Sequence, residues 1–178
     1  EAQLTITSNA WQRVSRGGLK LEQALTVWQI NPHHWTCLDV GASTGGFTEV
    51  LLKQGAKQVY ALDVGHGQLA ERLRRDQRVV NLEGINARHL EPTLLPTPMD
   101  FCCIDVSFIS LTLIIPEILK FLKPHSHLIA LIKPQFEVGR AGIGKNGIVK
   151  EPRQHQLAIN KITELSERLA LAVMGVME

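Results

Sequence analysis

Short apolar runs alternate along this chain with segments whose apolar residues recur at helical spacing. Trp35 to Asp39, Gln58 to Asp63, Val79 to Glu83, Met99 to Ile104 and His127 to Ile132 read as strands. A first helix follows a cap at Ser15, turns Leu21, Leu25 and Trp28 inward, and ends before Asn31-Pro32. Phe47, Val50, Leu51 and Leu52 mark a second helix, and Leu69, Ala70 and Leu73 a third. Leu111 to Leu122 reads as a fourth, capped by Ser110 and stopped by Lys123-Pro124. Pro152 to Leu171 reads as a long last helix with Leu157, Ile162, Leu165 and Leu169 inward, and Leu171 to Met174 begins a further element. Strand and helix in alternation predict an α/β domain with a mainly parallel sheet and helices on both faces. The apolar run from Met99 is unbroken, as expected of a central strand covered on both sides.

Composition narrows this reading only slightly. With 178 residues, 44% of them hydrophobic, the chain can fill one domain core, and a formal net charge of +2 does not by itself call for an anionic partner. Cys37, Cys102 and Cys103 lack metal-ligand spacing and read as buried, reduced thiols, so no metal site is expected. His33 and His34 read as loop histidines. No apolar run approaches the roughly 20 residues of a membrane span, and no charged-then-apolar signal opens the chain, which reads as cytoplasmic. Residues 1–14 lack periodicity and look like a tail or linker from another module; the chain opens on Glu1 and looks like a fragment. Gly139, Gly142, Gly144 and Gly147 predict a flexible loop over 138–150, fit to close over substrate.

The chemistry concentrates where strands end. Leu38-Asp39-Val40-Gly41-Ala42-Ser43-Thr44-Gly45-Gly46-Phe47 passes from a strand through a glycine turn into a helix, and such turns admit a ligand near main-chain N–H groups. Three ligands compete for the loop. A P-loop needs Lys followed by Ser or Thr, which is absent, and the dinucleotide fingerprint is broken by Ser43. What remains, Asp39 two residues before Gly41 and then Gly45-Gly46, favours S-adenosylmethionine, with Asp39 on the methionine ammonium directly or through water. Asp63, closing the second strand, suits a ribose. Asn86, in the turn after the third strand, is an adenine-side candidate or a turn residue bonding its own backbone. Arg72, Arg74, Arg75 and Arg78 read as an exposed helix face, with phosphate contact the alternative, and Arg16 and Lys20 as a solvated basic face. Asp105 ends the fourth strand, and Lys133 leaves the fifth, where a lysine does not serve packing.

Four co-linear blocks, Ser15-Arg16-Gly17-Gly18-Leu19-Lys20, Leu38 to Thr48, Ile104-Asp105-Val106-Ser107-Phe108-Ile109-Ser110 and Leu131-Ile132-Lys133-Pro134-Gln135-Phe136-Glu137, resemble the TlyA family. The resemblance runs from about residue 12 to the end of the sequence. It implies a Rossmann-like S-adenosylmethionine-dependent methyltransferase fold, FtsJ-like, acting on ribose 2′-hydroxyls of ribosomal RNA or a ribosomal subunit; such proteins are often labelled haemolysins. It also implies a catalytic Lys-Asp-Lys-Glu tetrad whose first three members fall on Lys20, Asp105 and Lys133. The fourth would lie beyond Glu178, and a small RNA-binding module would precede residue 15, so residues 15–178 read as a methyltransferase domain incomplete at its C-terminus. The glycine loop and the strand ends make Asp39, Gly41, Ser43, Thr44, Gly45, Gly46, Phe47, Asp63 and Asn86 the expected cofactor contacts. Lys133 would take the proton of the hydroxyl, Asp105 would orient it, and Lys20 would steady the developing charge or a phosphate. Two other classes stay open: a cofactor- or RNA-binding module without catalysis, and a membrane-lytic protein.

Overall fold

The computed structural model describes residues 14–139, 142, 144 and 147–178. The tail read over residues 1–14 lies, Val14 apart, outside the described residues, and so do residues 140, 141, 143, 145 and 146 of the glycine-rich loop.

Strands β1 (Thr36–Val40), β2 (Gln58–Asp63), β3 (Val79–Glu83), β4 (Met99–Ile104) and β5 (Leu122–Ala130) form one sheet in the order β3-β2-β1-β4-β5, every neighbouring pair parallel. Helix α1 (Gly18–Val27) precedes the sheet, α2 (Gly46–Lys53), α3 (Glu71–Arg74) and α4 (Ile115–Leu119) lie in its connections, and α5 (Pro134–Glu137) and α6 (Pro152–Arg168) follow it. Because side chains alternate along a strand, β1 sends Cys37 to one face and Leu38 and Val40 to the other. Cys37, Val59, Ala61, Phe101 and Cys103 meet Leu21 and Leu25 of α1 and Val50 and Leu51 of α2. Leu38, Val40, Leu62, Cys102 and Ile104 meet Ile115 and Ile118 of α4 and Ile162 and Leu165 of α6. Strand β4 is covered on both sides, as its uninterrupted apolar run predicts.

Several expectations are corrected: Gly17, not Ser15, takes the N-cap position of α1, the third helix begins at Glu71, after Leu69 and Ala70, and Leu171 to Met174 form no regular element. The helix expected over Leu111 to Leu122 is a 3-10 turn at Leu111–Leu113 followed by the short α4. Proline is tolerated only in a first turn, so Pro116 forces the helix to restart there. The fifth strand begins at Leu122 rather than His127: Leu122 pairs with Met99, the chain bulges through Pro124 and His125 (φ +61°), and pairing resumes at His127 opposite Phe101. A bulge is where a strand tolerates proline. The strand also ends at Ala130, short of Ile132. In α6, Leu157 is 50% exposed and Ala158 is buried in its place, because position 158 continues the i, i+4, i+7 stripe of Ile162 and Leu165.

In the order 3-2-1-4-5 the connections leave β1 and β4 in opposite directions. The carboxyl edge between them is the crevice where open α/β sheets hold ligands.

Candidate active site

The loop from β1 to α2 borders that crevice. Gly41 (φ +84°) and Gly45 (φ +98°) occupy left-handed backbone, and a side chain on either would strike protein: the Asp105 carbonyl at Gly41, Leu69 and Leu73 at Gly45. A Cβ on Gly46 would meet the Ser15 hydroxyl, which seats the start of α1 on the start of α2. These glycines thus serve close packing of the loop. Phe47 is buried in the core, whereas the Ser43 and Thr44 side chains at the loop's tip are exposed.

Asp39 does not line the crevice. It shares the Cys37 face of β1, is 0% exposed, and accepts a 2.7 Å hydrogen bond from Thr48 Oγ1 of α2. Burial pushes its carboxyl up to about 7, against the Thr48 bond, which acts in the opposite direction. Of the two expected routes from Asp39 to a methionine ammonium, direct and through water, this burial favours the one through water.

Asp63 is a brace between loops. Its Oδ2 accepts the Ser43 N–H and its Oδ1 the Gly65 N–H, each at 2.7 Å, so the acid fixes the glycine loop against the turn after β2. Glu83 does the same one strand out: it accepts N–H bonds from Leu69 and Gln68, which hold its carboxyl down at about 2. The exposed Asn86 accepts the Arg88 N–H through Oδ1, the turn-forming alternative. The arginines of the α3 region are engaged within the chain: Arg72 with Glu49, Arg75 with Glu71 at 2.8 Å, Arg78 with Asp76 at 2.7 Å. Lys20 is exposed on the first turn of α1.

Asp105 and Lys133 come together although 28 positions separate them, because β4 and β5 are neighbours and both residues lie just past their ends. Lys133 Nζ lies 2.6 Å from Asp105 Oδ1 and donates to Ser107 Oγ at 3.0 Å. Among the described residues Asp105 Oδ1 has no hydrogen-bond partner, so its contact with Lys133 is an ion pair at hydrogen-bond distance. Side-chain exposures of 24% and 26% leave the pair half-buried and reachable. Beside it, Phe108 is 92% exposed in left-handed backbone (φ +63°), its ring 5.2 Å from that of Phe136. Ser107, Phe108, Phe136 and Glu137 lie within the motifs of the sequence, where no local pattern assigns them a task.

A five-stranded parallel sheet of order 3-2-1-4-5, with a glycine loop after β1 and an acid at the end of β2, is the Rossmann-like fold of S-adenosylmethionine-dependent methyltransferases. A solved member from Mesorhizobium loti shares it at TM-score 0.54 and 17% identity, over 66% of this chain and 55% of that one. Residues 13–178 match the FtsJ-like methyltransferase family, and the chain belongs to that family. It is 48% identical over 164 residues to YqxC of Bacillus subtilis, covering 92% of this chain and 58% of YqxC. It is 43% identical over 173 residues to the 16S/23S rRNA (cytidine-2′-O)-methyltransferase TlyA of Mycobacterium tuberculosis, covering 97% of this chain and 64% of that protein. A solved Streptococcus thermophilus chain named as a hemolysin superimposes at TM-score 0.90 with 46% identity, over 95% of this chain and 62% of that one. The chain thus spans about three fifths of these relatives. Family and fold together imply S-adenosylmethionine use. Among the described residues no helix is long and apolar enough to cross a membrane.

Proposed function

We propose that this chain is the catalytic domain of an S-adenosylmethionine-dependent RNA 2′-O-methyltransferase acting on ribosomal RNA in the cytoplasm. The observation that carries the reading is the half-buried Asp105–Lys133 pair beside the glycine loop. The named activity of the Mycobacterium tuberculosis relative agrees with it.

The donor set at the crevice suits the cofactor. The exposed Ser43 and Thr44, with the carboxylates of Asp63 and Asp105, offer hydrogen-bonding and anionic groups to a ligand that carries ribose hydroxyls and positive charge. When bound, S-adenosylmethionine supplies an electrophilic methyl group. The protein must supply a nucleophile, and a ribose hydroxyl becomes one only on losing its proton. Of the three positions around Lys133 Nζ, Asp105 and Ser107 take two, leaving one for a substrate hydroxyl. As the amine, Lys133 accepts the hydroxyl proton there; Asp105 and Ser107 keep Nζ in place before and after the transfer. Lys20, at the start of α1, steadies a phosphate or the developing alkoxide. Phe108 and Phe136 offer an exposed aromatic surface on which a base of single-stranded RNA can stack.

The test is methylation of ribosomal subunits by the full-length protein, followed by digestion and mass spectrometry of the nucleosides. Methyl groups on ribose oxygen support the reading; transfer to a base, or none, rejects it.

A further inference from the structure

Two segments carry the proposed catalytic pair, one leaving β4 and one leaving β5, and they meet in three successive rungs. At the first, Lys133 contacts Asp105 and Ser107. At the second, Phe136 packs on Phe108. At the third, the Glu137 carboxylate, with 1% of its side chain exposed, accepts the Leu111 N–H at 2.8 Å through Oε1 and the Ser110 hydroxyl at 2.5 Å through Oε2. Ser110 Oγ in turn accepts the Thr112 N–H and caps the 3-10 turn there. Lys161 of α6 completes the rung from behind: Nζ is 3.1 Å from Glu137 Oε2, donates to the Glu137 carbonyl at 2.9 Å, and reaches Ser110 Oγ at 3.3 Å.

A buried carboxylate is costly unless paired and bonded, and this one is both. It faces Ser110 and the Leu111 backbone of the segment that bears Asp105. The Glu137 carboxylate fixes the far end of both segments, four residues from Lys133 on one and five from Asp105 on the other. Phe108, in strained left-handed backbone between the first and third rungs, persists only if both ends are held.

Resting on the reading of Lys133 as the base, we infer that Glu137 is a positioning residue for the methyl transfer. Clamped to Ser110, Leu111 and Lys161, it keeps the Lys133 amine and the Asp105 carboxylate at catalytic distance. Its task is thus distinct from contact with substrate or cofactor.

The experiment compares single-turnover methylation of ribosomal subunits by full-length wild type, Glu137→Gln, Asp105→Asn and the double variant, at saturating RNA and cofactor. Cofactor affinity is measured alongside by calorimetry. Glu137→Gln should lower the rate about tenfold or more while RNA KM and cofactor Kd stay within about twofold. In the Asp105→Asn background the same substitution should lower it less than about threefold, because a clamp adds little where the pair it holds is already broken. A purely structural role would lower thermal stability and scale the rate equally in both backgrounds. A Glu137→Gln rate within about twofold of wild type, or losses that multiply, overturns the inference. Should Glu137→Gln fail to fold because the Lys161 charge is stranded, Glu137→Gln/Lys161→Met removes both charges and is held to the same criteria. Inactivity of the wild type rejects the enzyme reading itself, an outcome separate from an active wild type with an indifferent Glu137.

Discussion

Thr48 Oγ1 donates to Oδ2 of Asp39 across the interface of α2 with the sheet, at 2.7 Å, with both residues wholly buried. The acid two residues ahead of the glycine turn thus anchors the helix that the turn begins. Cys103 approaches its other oxygen at 3.8 Å, and burial is the chief reason its carboxyl lies at about 7 rather than near 3.8.

Between those two values the folded chain keeps a proton on Asp39 that the unfolded chain has released. Stability is therefore lost as pH rises through the window and levels off above about 7. Asp39→Asn keeps an oxygen for Thr48 and removes the titration. The variant should gain on wild type by on the order of 2 kcal/mol between pH 5 and pH 8. Denaturant unfolding at both pH values measures this, and a constant difference would refute it.

Gly41→Ala forces a side chain into left-handed backbone and against the Asp105 carbonyl, a backbone atom that cannot swing aside. The expected loss exceeds ~1 kcal/mol. Because the displaced residue is Asp105, methylation should fall further than the loss of folded protein explains. Activity normalised to folded fraction separates the two effects.

Much of this could be read from residue order, and the failures have local causes. Five strands followed from apolar runs, since burial in a parallel sheet imposes that pattern, and the crevice from the charged residues that close or follow those runs. Asp39 misleads because an acid near a strand's end suggests the crevice, although its parity with Cys37 already turned it toward α2. Pro116 and Pro124 each broke an element whose apolar content ran straight through them. Glu137 was illegible: its partners Leu111 and Lys161 lie 26 and 24 positions away, and no local pattern joins them. Phe108 sits at the end of an apolar run that gives no sign of its exposure.

Asp63 ties Ser43 to Gly65, so its loss both removes a charged acceptor at the cofactor's expected place and frees the glycine loop. Asp63→Ala should weaken S-adenosylmethionine binding about tenfold or more, as loss of a charge-assisted hydrogen bond of roughly 1.5–3 kcal/mol implies. Calorimetry with cofactor alone checks it, and unchanged affinity would remove Asp63 from the site.

Phe108→Gly suits the backbone while deleting the exposed ring. Relief of left-handed strain offsets the lost contact with Phe136, so stability should stay within ~1 kcal/mol of wild type. RNA KM should rise about tenfold, the order expected when a stacked base loses its aromatic partner, with cofactor affinity unchanged. An RNA KM equal to wild type would show that the ring serves something other than RNA.

Lys133→Arg isolates the base from the charge. Arginine can restore the ion pair with Asp105 and a donor to Ser107, so fold and cofactor affinity should survive. It does not give up its proton in proteins, so it leaves no amine to accept one from a ribose hydroxyl. Single-turnover methylation by Lys133→Arg should therefore fall at least about a hundredfold, the lower range of general-base catalysis. Lys133→Ala should fall as far and also lose stability, because Asp105 Oδ1 is left without its partner. The two variants discriminate between roles: if Arg retains most of the rate while Ala loses it, the position acts by positive charge alone, and the proton leaves the hydroxyl by another route.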